Sequence, residues 1–292
     1  MSKGSGLGTK LAAHANNIAL HHSVFALPFA YMGAFLAAGG EPPFWTMVWI
    51  TLAMVGARST ALALDNLIDL KYDKLHPRFT NRPMVTGIVK KGEVLVLIAV
   101  SMAAFVYAVW QLPRICLQLL PVAALPFIIY PYTKRFTSCC HGVLGLAIAM
   151  APAGGWTAVR GTVFDLPQLV LCLAVGIWIG AFDVVYGSQD EEFDRANGLH
   201  SMATMFTAAG ALKIARICHA ASIICFLALG QMLSLGACYY LGVGIAAVTL
   251  VYQHSIVSAT DFHRLTQVYF MRNGIVSVAM FFCTWADLYL KG

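Results

Sequence analysis

Charge is scarce in this sequence. Only 11% of its 292 residues are Asp, Glu, Lys or Arg, where a soluble domain carries about 25%. Set against 59% hydrophobic residues, that deficit excludes an ordinary soluble domain and points to a chain whose solvent is mostly lipid. The eight cysteines form no CxxC pair and mostly fall in apolar stretches. They read as small packing residues, which leaves no zinc site and no disulfide framework. Linkers and low-complexity runs are missing, so residues 1–292 read as one domain. No basic run is free of interleaved acids, which argues against a nucleic-acid surface. Nothing marks an obligate protein partner.

What the chain has is long apolar runs. A spanning helix needs about 20 mainly apolar residues. Nine stretches meet that, near 20–38, 45–64, 92–112, 115–132, 141–159, 167–187, 213–231, 233–253 and 271–289. The expected fold is all-α, a multi-pass membrane bundle of about nine transmembrane helices. The first stretch lacks a small-x-small cleavage site and reads as a retained span. Lys3, Lys10, Lys71, Lys74, Arg78, Arg82, Lys90 and Lys91 flank the first pair of stretches, and Lys134, Arg135, Arg195, Lys213, Arg216, Arg264 and Arg272 fall in later loops on the same side. The opposite loops hold Arg114, Arg160 and Lys291. Positive charge marks the cytoplasmic side, so the N-terminus is expected inside, in a cytoplasmic (inner) membrane.

The acids cluster in two loops, roughly 66–91 and 188–212. Carboxylates beside apolar spans are costly and usually functional. Asp65, Asp69 and Asp73 stand at i, i+4 and i+8, one slowly drifting face of a helix. Three like charges on one face repel unless a cation sits between them, and hard oxygen ligands suit Mg²⁺. The alternative is a solvated helix end with Lys71 and Lys74 as partners. Arg78 and Arg82 follow, four apart, among Pro77, Pro83 and Gly87. Such a pair suits phosphate oxygens, and the prolines and glycine are expected to fold the segment back over the helix end. The second cluster places Asp183, Tyr186, Asp190 and Asp194 on one helical stripe. Two acidic clusters facing each other can each hold a metal ion on one diphosphate.

At these residues the sequence resembles the UbiA superfamily of intramembrane prenyltransferases. Asp65, Asp69 and Asp73, then Arg78, Asn81, Arg82 and Pro83, match its N/D-x-x-x-D-x-x-x-D and R-x-x-N-R-P motifs. Asp183, Tyr186, Asp190 and Asp194 match its second motif. Arg58, Tyr132 to Arg135 and His22 to Pro28 are similar to further family segments. Within the family the chain is most similar to 4-hydroxybenzoate polyprenyltransferases and their relatives in menaquinone synthesis. Asp65 stands where asparagine is commonest, Phe79 where threonine is usual and His200 where many hydroxybenzoate enzymes have lysine. The Gly198-Leu199-His200-Ser201 form looks like a branch that prenylates a dihydroxynaphthoate.

The resemblance implies a central cavity open toward the cytoplasmic side and the lipid, with a polyprenyl diphosphate and a small aromatic acid as substrates. It implies that Asp69, Asp73, Asp190 and Asp194 hold two Mg²⁺ ions, with Asp65 and Asp183 supporting or completing the shells. Arg78, Arg82, Lys134 and Arg135 would neutralise the leaving diphosphate. Asp183 is the candidate for the base that removes the ring proton. Arg58 would hold the acceptor carboxylate, or else pair with Asp65, and Tyr186 would orient a ligand or line the cavity. The acceptor is read as 4-hydroxybenzoate, with 1,4-dihydroxy-6-naphthoate as the alternative. His22, His141, His254 and His263 read as interfacial or packing residues, and Gly176 and Gly180 as a close helix contact. A secondary transporter is the competing class, since intramembrane carboxylates also serve ion pathways. All of this requires the two acidic sets to face a shared hollow.

Overall fold

A computed structural model describes His14 and residues 26–263, 265 and 272–291. The basic positions Lys3, Lys10 and Arg264, the His22 to Phe25 segment and the start of the first predicted span lie outside the described residues. The long helices are α1 (Leu27–Ala38), α2 (Phe44–Ile68), α4 (Lys91–Trp110), α5 (Arg114–Thr133), α6 (Cys140–Arg160), α7 (Leu166–Gly187), α9 (Met202–Met232), α10 (Ala237–Ser255) and α11 (Gly274–Lys291). Two short helices, α3 (Leu70–Asp73) and α8 (Glu191–Ala196), extend α2 and α7.

Each of the nine apolar stretches thus holds a helix, but the count of nine spans is not reproduced. Among the described residues seven helical segments are long and apolar enough to cross a membrane, with Leu166–Ala196 taken as one. The described part of α1 is 12 residues, about 18 Å of helix against a hydrocarbon core of about 30 Å. The 19-residue α10 is diluted by Tyr239, Tyr240, Gln253 and His254.

The outer faces are apolar. Leu95, Val96 and Val100 on α4 and Val122 on α5 are more than half exposed, the inverse of a water-soluble surface and the expected state of helices facing lipid. The interior centres on α1, α7 and α9, where Phe29 meets Trp178 edge-on at 5.3 Å and stacks on Phe226 at 5.9 Å. Buried polar side chains find partners, as they must away from water. The Ser222 hydroxyl donates to Ala174 O at 2.7 Å, and the Tyr239 hydroxyl to Phe226 O at 2.7 Å. His254 sits 2.8 Å from His219, in keeping with its reading as a packing residue. All eight cysteines are free.

One close contact positions the site. At the α6–α7 crossing a Cβ on Gly145 would lie 2.4 Å from Gly176 O, and a Cβ on Gly180 would lie 3.0 Å from His141 O. Gly176 and Gly180 are therefore the close helix contact the sequence implied, made against Gly145 within the chain. The crossing holds the start of α6 against the end of α7. Gly145→Val should lower stability by about 1–3 kcal/mol, because backbone must move to admit the side chain. A fall in detergent-phase melting temperature is the result to look for.

Candidate active site

Helix α2 ends where the acids begin. Asp65 lies in its last turn, Asp69 (φ −87°, ψ −1°) forms the junction and Asp73 ends α3. Asp69 N–H still donates to Asp65 O at 2.9 Å, so helical spacing survives the junction. Asp69 and Asp73 both lie within electrostatic reach of Asp65. The segment 74–90 then folds back, as its prolines and Gly87 (φ 78°) led one to expect. Leu70, Met84 and Val89 bury against Ala63 and Val94 and pin it down. Arg82 donates to Asp73 Oδ2 at 2.6 Å and to Asn66 Oδ1 at 3.3 Å.

The second motif runs through α7, a tight turn at Ser188–Asp190 and α8. Asp194 is buried at 2% exposure. Two elements join the motifs. From the first loop, Arg78 hydrogen-bonds to Asp190 and lies 5.3 Å from the Tyr186 ring. From the end of α5, Lys134 Nζ sits 3.7 Å from Asp194 Oδ2 and acts electrostatically on Asp65 and Asp69 as well as on Asp183 and Asp190. Arg135 contacts Asp69 Oδ1 at 3.4 Å. The acidic sets are brought together through shared cations, Arg78 and Lys134.

Charge balance explains the site's tension. Burial, then the neighbouring Asp73 charge, pushes Asp69 up to about 6 against the pull of Arg135. Burial likewise raises Asp73, with Arg82 opposing. Burial works against the charge of Lys134, but Asp194, Asp183 and Asp190 outweigh it and hold its pKa above the usual lysine value.

Phe79 is a spacer between guanidinium groups. Its ring lies 5.4 Å from Arg78 and 3.9 Å from Arg82. Sequence reasoning missed three residues. His76 stacks on Phe79 at 4.4 Å and meets the Phe193 ring at a tilt at 4.2 Å, with Nε2 3.2 Å from Asp190. Glu191 serves the fold: it accepts from Ala208 N–H at 2.7 Å just past a break at Thr207 (φ 62°), and from Arg195 at 3.0 Å. His141 Nδ1 lies 2.7 Å from Asp183 Oδ2, which corrects its reading as a packing residue. The signal for His141 was its place four residues before Gly145, as Asp183 lies three after Gly180.

Below the acids opens a cavity of about 740 Å³, lined by apolar side chains of α2, α4, α5, α6, α7 and α9, among them Phe105, Phe127, Leu146 and Leu173. His141 and Arg58 line it too. Arg58 Nε is buried with no hydrogen-bond partner, and among the described residues no ion pair joins Arg58 to Asp65. The structure therefore does not favour the Asp65 alternative for Arg58.

Among the described residues no three acidic, histidine or cysteine side chains converge into a ready-made metal cage. This donor set fits Mg²⁺, which takes one or two carboxylates and completes its shell with water and phosphate oxygens. Asp194 Oδ2 is buried without a hydrogen bond, with Lys134 Nζ 3.7 Å away. A transporter site lies near the membrane midplane on broken helices; here the acids gather at the helix ends on one side of the bundle, so that reading gains no support.

Residues 26–285 match the UbiA prenyltransferase family. A 4-hydroxybenzoate octaprenyltransferase of Aeromonas salmonicida (strain A449) is 31% identical over 222 residues, 76% of each chain. One of Vibrio cholerae serotype O1 is 30% identical over 246 residues, covering 84% of this chain and 85% of its own. Among solved structures, the apo UbiA homologue of Aeropyrum pernix K1 superposes with TM-score 0.80 at 27% identity, over 92% of this chain and 98% of that one. A UbiA homologue of Archaeoglobus fulgidus bound to DMAPP and Mg²⁺ shares the fold, with TM-score 0.73 at 17% identity over 95% and 99% of the two chains. Sequence motifs, opposed acidic helix ends and whole-chain likeness agree, and this chain belongs to the UbiA prenyltransferase family.

Proposed function

We propose that this single-domain membrane enzyme transfers a polyprenyl group from its diphosphate to a small aromatic acid of the 4-hydroxybenzoate type. The observation that carries the reading is the union of two acidic helix ends, tied by Arg78–Asp190 and Lys134, with an apolar cavity of about 740 Å³ beneath them. A polar head held at the acids and an apolar tail in the cavity describe a prenyl diphosphate. The relatives' names supply the acceptor class.

Asp69, Asp73, Asp190 and Asp194 would hold two Mg²⁺ ions, with Asp65 in support. Bound there, Mg²⁺ supplies charge stabilisation for the departing diphosphate oxygens. Arg78, Arg82, Lys134 and Arg135 add positive charge around the same oxygens; each now rests on a site carboxylate and exchanges that contact for phosphate. Aromatic and aliphatic walls shield the allylic cation from water. Arg58, the cation lining the cavity, takes the acceptor carboxylate, and Tyr186 braces Arg78. The basic loops support an inner-membrane protein whose site faces the cytoplasm.

The test is a membrane assay offering 4-hydroxybenzoate and 1,4-dihydroxy-6-naphthoate with diphosphates of several chain lengths, with Mg²⁺ or EDTA. A Mg²⁺-dependent product whose mass is acceptor plus prenyl chain is expected. No product with either acceptor would overturn the reading.

A further inference from the structure

The mechanism above leaves the ring proton without a destination, and the buried histidine beside the acids has no role in it. His141 stands in the first turn of α6, with a side chain 3% exposed on the wall of the apolar cavity. Its Nδ1 lies 2.7 Å from Asp183 Oδ2. An ionised carboxylate only accepts, so Nδ1 carries the hydrogen and donates it. Nε2 faces the opposite way, 3.5 Å from the Met202 backbone N–H. Met202 opens α9, where an N–H has no partner within the helix, so it donates to Nε2. Nε2 is therefore the nitrogen without a hydrogen, and the long contact that occupies its lone pair yields to a better partner.

Neighbours hold the ring at Nδ1, Nε2 and Cε1. A Cβ on Gly187 would lie 3.2 Å from His141 Cε1, so glycine there leaves room for the imidazole. The Gly145–Gly176–Gly180 crossing clamps the backbone that carries it. A histidine oriented by a carboxylate through one nitrogen, on the wall of a substrate-sized cavity, is built as a general base.

We propose that His141 takes the ring proton of the aromatic acceptor, and that Asp183, the earlier candidate, is its positioning residue. This rests on the proposed transfer to an aromatic ring. The allylic C–O bond breaks and its electron pair leaves with the diphosphate. A π pair of the ring carbon beside the hydroxyl forms the new C–C bond. The C–H pair at that carbon returns to the ring, and the proton passes to His141 Nε2. Asp183 stays ionised against the resulting imidazolium, which later gives its proton to water.

The test uses the full-length protein in detergent with Mg²⁺, octaprenyl diphosphate, and 4-hydroxybenzoate either unlabelled or deuterated at both carbons beside the hydroxyl. His141→Asn keeps an amide nitrogen where Nδ1 meets Asp183 and removes Nε2. Its kcat should fall about a hundred-fold with both KM values little changed. A primary deuterium isotope effect on kcat, larger than in the wild type, should appear as proton removal becomes limiting. Should that variant fail to fold, Asp183→Asn carries the same test and should show a smaller kcat loss with the same enlarged isotope effect. A competent wild type alongside a His141→Asn variant of wild-type kcat, or one whose lost activity brings no enlarged isotope effect, overturns this inference and leaves the proposed function standing. A wild type that couples no prenyl chain to the acceptor overturns both.

Discussion

Asp69→Ala and Asp190→Ala should each lower prenyl transfer about a thousand-fold while the protein still inserts and folds. The two residues come from opposite acidic sets, 121 positions apart by subtraction of their numbers, and no local change at one reaches the other through the chain. What they share is the site: Asp69 touches Arg135, Asp190 touches Arg78, and Lys134 acts on both. Asp69 is raised to about 6 by burial and by Asp73, so its charge strains the folded state and its loss leaves stability intact. A loss of turnover with an unchanged melting temperature, measured on the purified variants, separates a site role from a structural one. Normal turnover by either variant would count against the assignment.

Arg58→Leu should raise the acceptor KM by roughly a hundred-fold, about 3 kcal/mol, the scale of losing one member of a buried charge pair. Its donor KM should stay near the wild-type value. The prediction follows from position. Arg58 lies seven residues before Asp65, about 10 Å along the helix axis, too far down to serve the diphosphate head beside the acids. Its Nε is buried without a partner on the wall of the apolar cavity, where an arginine is costly unless a ligand anion arrives. Steady-state kinetics with acceptor and donor varied separately would read the split. Equal rises in both KM values would assign Arg58 to general packing instead.

The sequence was most legible where function depends on local spacing. Asp65, Asp69 and Asp73 declare a helix face by their numbers alone, and Arg78 and Arg82 follow within one loop. Long apolar runs announced the helices. Legibility failed where partners come from different helices. His141 in an apolar run looks like any packing histidine until Gly145 and Gly176 bring α6 onto α7 and set it against Asp183. Glu191 lies beside Asp190 in the sequence, yet it accepts from Ala208 N–H just past the break at Thr207, a backbone event no side-chain pattern announces. His76 lies within a loop already read for its arginines, and its ring contact with Phe193 depends on the fold of α8. The count of nine spans is not reproduced among the described residues, where the described part of α1 holds 12 residues and the end of α10 turns polar.

The account stands on one diphosphate being shared, through divalent cations, by both acidic helix ends. Calorimetric titration of the purified protein with inorganic pyrophosphate tests this without any acceptor or prenyl tail. Binding should appear with Mg²⁺, vanish in EDTA, and be lost in Asp69→Ala and in Asp190→Ala alike. Pyrophosphate bound equally well in EDTA, or bound normally by either variant, would contradict it.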